Sequence, residues 1–344
     1  MDFGTTGSYL LKFTNFAFFE NPNFAASPGS NQLRYDDEIL TGEISLFKMG
    51  MTEEDYTYLC TDVDFIIHAA AAVNLAYPYQ ALHGPNVLGT YNVIRFACTG
   101  KIKPLHYIST NAVIAQGVQN FKENASIEEF HDRLTDGYSQ TKWVAERLVQ
   151  LAEARGLPTT IYRLGNMSGD SKSAYWNPQD FTLILLKTCA NSALAPLVDW
   201  KMEMTPVDFA AQFIVNVVQR PSLSTKNIFH VINDNPLESR WVFEWMNSHG
   251  YNLELLQFQE WKTKVLNLLN KSSSDNVKLV ALLDSYLKYE NFVENPQTLA
   301  TNNFHQALSQ CGLSYPYTDT ALLQIYFKNL SSRGTIVHTR HHLS

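Results

Sequence analysis

Long apolar runs are missing from this 344-residue chain, and no stretch reaches the roughly 18 residues that a membrane span needs. No basic segment followed by an apolar core opens the chain, which speaks against a secretory leader. Cysteine is scarce. Cys60, Cys98, Cys189 and Cys311 lie far apart, with no Cys-x-x-Cys spacing. That excludes a zinc site or disulfide framework and predicts buried thiols in a reducing, cytoplasmic setting. Basic residues are in the minority, 26 Lys and Arg against 33 Asp and Glu, and the net charge of −7 argues against a nucleic-acid-binding surface. No internal repeat is visible. The tail at 338–342 (His-Thr-Arg-His-His) reads as a frayed, solvated end in preference to a metal site. With 45% hydrophobic and 17% charged residues the composition is that of a soluble globular protein, long enough for one large domain or a domain with an appended lobe.

The first forty residues carry little pattern. Gly4-Thr-Thr-Gly7-Ser-Tyr-Leu-Leu11 reads as the end of a glycine-rich turn entering a helix, where backbone amides at Gly4 and Gly7 approach a pyrophosphate. Such a turn follows an apolar strand, and only Met1-Asp-Phe3 precedes it. From Ile39 the pattern is regular. Ile39-Leu-Thr-Gly-Glu-Ile44 reads as a short strand, and Thr52 caps an acidic helix start at Glu53-Glu54-Asp55. Val63-Asp-Phe-Ile-Ile-His-Ala-Ala70 is an apolar run of the kind a strand buried on both faces shows. Residues 85–100 predict a helix with Pro85 at its start and Gly100 at its end. Pro104-Leu-His-Tyr-Ile-Ser-Thr110 and Thr159-Thr-Ile-Tyr-Arg-Leu-Gly165 are further strands. Between them a helix opens at Tyr138, with Val144, Leu148, Leu151 and Ala152 as its core face and Gly156 and Pro158 as its stop.

Strand, helix, strand at this spacing predicts an α/β fold: a Rossmann-like, doubly wound parallel sheet. After Gly169 helical patterns at 179–194, 206–219, 239–249, 259–270 and 275–289 surround one more strand at 228–233. The expected organisation is a dinucleotide-binding body over 1–170 and about 205–235, a smaller, mostly helical C-terminal substrate lobe over 171–204 and 236–330, and a flexible tail over 331–344. In such sheets ligands bind at the carboxyl ends of the strands, where Ala69 to Ala71, Ser109 and Thr110, and Gly165 and Asn166 all fall.

Tyr138 starts the helix after one of those ends, and Lys142 lies four residues on, on the same helix face. A nearby ammonium favours a phenolate and lowers a tyrosine pKa from about 10 toward a usable acid. Chance alone supplies about one Tyr-x-x-x-Lys in a chain of this composition, so the pair counts through its surroundings. His68 reads as a core histidine and Arg163 as the partner of an ion pair within the sheet.

The motifs His68-Ala-Ala-Ala-Ala-Val-Asn74, Tyr77-Pro-Tyr79, Pro85-Asn-Val-Leu-Gly-Thr90, His106-Tyr-Ile-Ser-Thr110 and Tyr138-Ser-Gln-Thr-Lys142 together resemble the extended short-chain dehydrogenase/reductase fold. More narrowly they resemble the terminal thioester reductase domains of nonribosomal peptide synthetases and carboxylic acid reductases, from about Ile39 to about Leu330. The resemblance implies Thr110, Tyr138 and Lys142 as catalytic residues. It places cofactor contacts at Gly4, Gly7, Gly42, Glu43, Ala69, Ala70, Ala71, Ser109, Lys142, Gly165 and Asn166. It implies NADPH as hydride donor. The substrate it implies is an acyl or peptidyl thioester on a phosphopantetheinylated carrier protein, reduced to an aldehyde, with a second hydride giving the alcohol. No metal, membrane or nucleic acid enters. The family's opening strand and its longer Gly-x-x-Gly-x-x-Gly turn have no counterpart in the first residues. That implies either a piece of a longer protein or impaired cofactor binding. Other readings are a fatty acyl-CoA reductase, another extended short-chain dehydrogenase, or a catalytically silent remnant that binds a carrier or partner.

Overall fold

The apolar runs of the first half become neighbouring strands of one sheet. The computed structural model of the chain describes residues 8–13, 16–20, 38–178, 180–224, 227–269, 297–316 and 319–336. Its strands are β1 (Ser8–Phe13), β2 (Phe16–Glu20), β3 (Glu38–Gly42), β4 (Phe65–His68), β5 (Leu105–Thr110), β6 (Thr159–Leu164) and, late in the chain, Asn227–Val231. They are ordered Asn227–Val231, β6, β5, β4, β2, β1, β3. The first five in that order run parallel, and β1 is antiparallel to both β2 and β3. From the edge strand β3 the chain crosses back to β4 on the far side of β2 and then builds outward the other way, as a doubly wound sheet does.

The sheet position beside β4, expected to be missing its strand, is held by β2, which pairs Phe16 with Phe65 and Phe19 with His68. Gly4 and Gly7 lie outside the described residues. The residues after them do not enter a helix: Ser8–Phe13 is strand, paired from Phe13↔Phe16 outward. Aromatic and aliphatic residues of the kind found in this stretch favour a pleated sheet, and a two-residue connection suits a hairpin.

The helices of this half are α1 (Glu53–Asp62), α2 (Tyr79–His83), α3 (Gly89–Cys98) and α4 (Gly137–Ala154). Thr52 caps α1 as expected, its hydroxyl accepting from the Asp55 amide at 3.1 Å. The helix expected to begin at Pro85 begins earlier. α2 and α3 are continuous through a π-helical turn at Gly84–Leu88, closed by a bond from Gly89 N to Gly84 O. The wide turn accommodates Pro85, which has no N–H to give.

The chain divides into two compact units: residues 1–164, 213–231 and 297–313, and residues 165–212, 232–296 and 314–344. Residues 297–313, expected in the lobe, thus belong with the sheet, where Glu123 accepts from the amides of Asn303 (2.5 Å) and Phe304 (3.0 Å) at the start of helix Asn302–Cys311. The first unit's core joins Leu59, Val63, Ile66, Val93, Phe96, Leu105, Ala145, Val149 and Ile161. The second unit has its own core, built on α5 (Phe181–Ser192), α6 (Ser239–Ser248), α7 (Phe258–Leu269) and helix Thr320–Ser332. The helix expected at 275–289 and residues 337–344 of the expected tail lie outside the described residues, while 331–336 are not a flexible tail: helix Thr320–Ser332 runs into them and Ile336 is buried in the second unit's core. Among the described residues no helix is long and apolar enough to cross a membrane.

Candidate active site

β4 and β5 pair His68 with Tyr107, and β5 and β6 pair Thr110 with Leu164, so the three strands end side by side. α4 begins beside them. Its N-cap Asp136 accepts from Ser139 N at 2.8 Å, and its first residue is Gly137. A Cβ at Gly137 would sit 2.5 Å from both Tyr77 O and Tyr79 N. Only glycine lets the Tyr77-Pro-Tyr79 backbone lie against the start of the helix.

This packing brings Tyr138 to the end of β5, near enough to Thr110 for the threonine hydroxyl to favour its phenolate form. Thr110 Oγ1 also accepts from Ala112 N at 3.2 Å, which fixes the hydroxyl as the chain leaves the strand. Lys142, 3% exposed, donates from Nζ to Ile108 O at 2.7 Å and lies 4.4 Å from the centre of the Tyr107 ring. Thr110 at the end of β5 and Tyr138 at the start of α4, distant in sequence, therefore lie near each other, with Lys142 one turn further along the helix.

Their electrostatics differ from expectation. Burial pushes Tyr138 up to about 12, with the Thr110 hydroxyl acting against the rise and Asp136 adding to it. Burial pushes Lys142 down to about 7, with the Glu146 carboxylate pulling the other way. Lys142 does not lower the tyrosine's pKa here; its ammonium is turned to a carbonyl and a ring face. Tyr138 is thus a firmly protonated donor at neutral pH, suited to hydrogen-bonding an oxygen as negative charge develops on it.

His68 is a core residue. Burial and the Lys142 charge push it down to about 3, so it is neutral, and its Nε2 lies 3.0 Å from Thr90 Oγ1. Ala69, Ala70 and Ala71 follow β4, Ala70 buried and its neighbours half-buried. Gly42 ends β3, and a Cβ there would strike Met49 O at 2.5 Å. Glu43 Oε1 takes up the amide and hydroxyl of Ser45 at 3.2 and 2.8 Å. The Ser109 hydroxyl donates to Glu146 at 2.5 Å. Gly165 and Asn166 belong to the second unit, where the Asn166 amide donates to Glu203. Burial pushes that carboxyl up to about 7 against its hydrogen bonds.

Two residues escaped the reading of the sequence. Asn86, 1% exposed in the π-helical turn, accepts from Ala72 N (2.7 Å) and donates to Ala72 O (3.1 Å) and Thr141 Oγ1 (3.0 Å). It ties the alanine loop to the first turn of α4, and its signal was the Pro85–Thr90 motif itself. Glu146 repeats the four-residue spacing of Tyr138 and Lys142 once more. The core face of α4 is accordingly Lys142, Ala145, Glu146 and Val149, with Ala152 packed half-buried against the same core, and not Val144, Leu148 and Leu151; Leu151 is 44% exposed. Arg163 explains the shift, since its guanidinium pairs with Glu146 at 2.7 Å, both side chains fully buried. A stripe drawn through apolar residues alone misses an ionic one. Among the described residues no group of three His, Cys, Asp or Glu could hold a metal ion.

Residues 22–214 match the male sterility protein family, a group of NAD-binding domains. A glycine betaine reductase from Emericella nidulans is 38% identical over 228 residues, 65% of this chain and 18% of the relative. A linear gramicidin synthase from Brevibacillus parabrevis is 34% identical over 229 residues, 64% of this chain and 4% of the relative. The chain thus spans less than a fifth of the length of either protein. Among solved structures, the terminal R domain of the myxalamid PKS-NRPS biosynthetic pathway superposes with a TM-score of 0.80 at 33% identity, covering 87% of this chain and 76% of that one.

Proposed function

Since the chain belongs to the male sterility protein family and stands with its terminal reductase domains, we propose that it reduces an acyl or peptidyl thioester, presented on a phosphopantetheinylated carrier protein, to an aldehyde with NADPH. The observation that carries the reading is the placing of Tyr138 near Thr110 at the end of β5, with buried Lys142 one helical turn along the same helix. A bound reduced nicotinamide supplies the hydride. Thr110 and Tyr138 hydrogen-bond the thioester carbonyl oxygen, and their bonds strengthen as that oxygen becomes anionic. Tyr138 holds its proton near that oxygen. Lys142 and the Ala69–Ala71 segment would hold the nicotinamide cofactor at the strand ends, and Glu43 would approach its adenine. Departure of the pantetheine thiol is easy because its pKa is only about 8.5.

Fluorescence titration with NADPH and with NADH, followed by assay of a carrier-bound thioester, tests this. Saturable NADPH binding and aldehyde release are expected. Binding of NADH alone would overturn the choice of cofactor, and no turnover by a cofactor-binding chain would overturn the reaction. A second reading, a carrier-binding relative without chemistry, is favoured by one observation: Ser8–Phe13 is strand where the pyrophosphate-binding turn was expected to enter a helix. Failure to bind either nucleotide would decide for it.

A further inference from the structure

The helix that bears Tyr138 and Lys142 carries a third polar group on the same face, and the reaction as written leaves it without a role. Glu146 is fully buried four residues beyond Lys142. Its carboxylate accepts from Arg163 Nη2 at 2.7 Å and Nε at 3.1 Å, from Ser109 Oγ at 2.5 Å and from Gln150 Nε2 at 3.1 Å. Arg163 in turn reaches Glu123 O at 3.2 Å and His230 Nε2 at 3.0 Å. A buried ion pair adds little net stability over apolar packing, because both charges are stripped of water. This one touches the strand end that holds Thr110, through the adjacent Ser109, and lies one turn from the ammonium. We propose that Glu146 is a positioning residue, which anchors the end of β5 through Ser109 and keeps the positive charge on Lys142.

The groups around Lys142 support the second role. Tyr107 presents its ring face from β5, Ile108 presents a carbonyl, and neutral His68 stands on β4. Tyr138 is protonated. Glu146 is the group that opposes the fall of the Lys142 pKa toward 7. Without it, burial acts on the ammonium unopposed. The first role follows from geometry: Ser109 pairs with Arg163 across β5 and β6, so carboxylate, guanidinium and hydroxyl lock the two strands at the level of Thr110.

The inference rests on the reading of Tyr138 and Lys142 as catalytic, and its test separates the two. The Nζ chemical shift of Lys142 is followed against pH by NMR in the cofactor-free protein, and turnover is measured alongside. Glu146→Gln should lower the titration midpoint by about one unit and cut kcat roughly tenfold or more, with KM little changed, and Glu146→Asp should restore the midpoint. Glu146→Gln with Arg163→Met strands neither charge and is read for the same shift where the single variant does not fold. Ser109→Ala should lower kcat and leave the midpoint in place. An unmoved midpoint in the Glu146 variants overturns the electrostatic role. Wild-type kcat in Ser109→Ala overturns the anchoring role. A shifted midpoint in a protein that reduces no thioester would leave the Glu146 assignment standing and remove the catalytic reading instead.

Discussion

At the scale of single residues the site poses an unusual balance: a tyrosine pushed up to about 12 beside a lysine pushed down to about 7. Tyr138 then acts through its O–H, and the loss of that donor should fall on the transition state. Tyr138→Phe is expected to lower kcat by on the order of 10²- to 10³-fold with cofactor affinity nearly unchanged; equal turnover in the variant would remove Tyr138 from the chemistry. Lys142 carries a stability signature as well. Its folded pKa lies below the ordinary lysine value, so between about 7 and the usual 10.5 the unfolded chain binds the proton that the folded one has released. Unfolding free energy must therefore rise with pH across that window, by on the order of a few kcal/mol in total for this group. Below pH 7 the cost of the buried charge is fully present. Lys142→Met should flatten the rise, which urea unfolding at pH 7 and pH 9.5 would measure; an unchanged difference between the two pH values would show that Lys142 keeps its proton.

At the scale of elements, α4 is placed by contacts that a side chain would spoil. Gly137 and Gly89 both meet close neighbours, but of different kinds. A Cβ at Gly89 would press on Ile44 Cδ1 and Cγ1 at 2.5 and 2.8 Å, atoms of a buried side chain that has to shift. A Cβ at Gly137 would press on backbone atoms of Tyr77 and Tyr79, which cannot rotate away. Alanine gains about 1 kcal/mol of helix propensity at Gly89, inside the continuous helix, and less at Gly137, the first residue of α4. Overpacking costs about 1–3 kcal/mol. Gly89→Ala should be the less destabilising of the two, because a side chain has to give way there and not backbone, whereas Gly137→Ala should also lower turnover by moving Tyr138; the order of the two denaturation midpoints checks this. The same elements mark what the sequence reveals. β4, β5 and β6 are legible because strands buried on both faces read as unbroken apolar runs ending in small or hydroxyl residues. The buried face of α4 is not, because Glu146 and Lys142 are inside and only their partners, Arg163 and the Ile108 carbonyl, explain why. Nor is the π-helical turn, since Pro85 mimics a helix start and nothing in the apolar spacing records the wider turn that admits it.

At the scale of the whole molecule, the sheet tolerates an opening that the family pattern does not predict. Pairing across the sheet is set by backbone hydrogen bonds, which any strand-forming segment can supply, so β2 fills the place beside β4 without a recognisable motif. That is why the fold was readable from Ile39 onward while the first forty residues were not. It also means that cofactor binding needs a test independent of motifs, and the tryptophans provide one. Five of the six, Trp176, Trp200, Trp241, Trp245 and Trp261, lie in the second unit, and Trp143 alone lies in the first. Trp143 sits on α4 next to Lys142, with its Nε1 donating to Ile127 O at 2.8 Å. Thr110, Tyr138, Lys142 and Ala69–Ala71 all belong to that first unit. NADPH at a hundredfold excess over its dissociation constant should stabilise the unit that binds it by about 2.7 kcal/mol. The part of the fluorescence unfolding curve that disappears in Trp143→Phe should therefore move to higher denaturant when NADPH is added. A Trp143 signal that stays in place under saturating cofactor, in a protein whose NADPH fluorescence reports binding, would put the cofactor elsewhere than beside Tyr138 and Lys142.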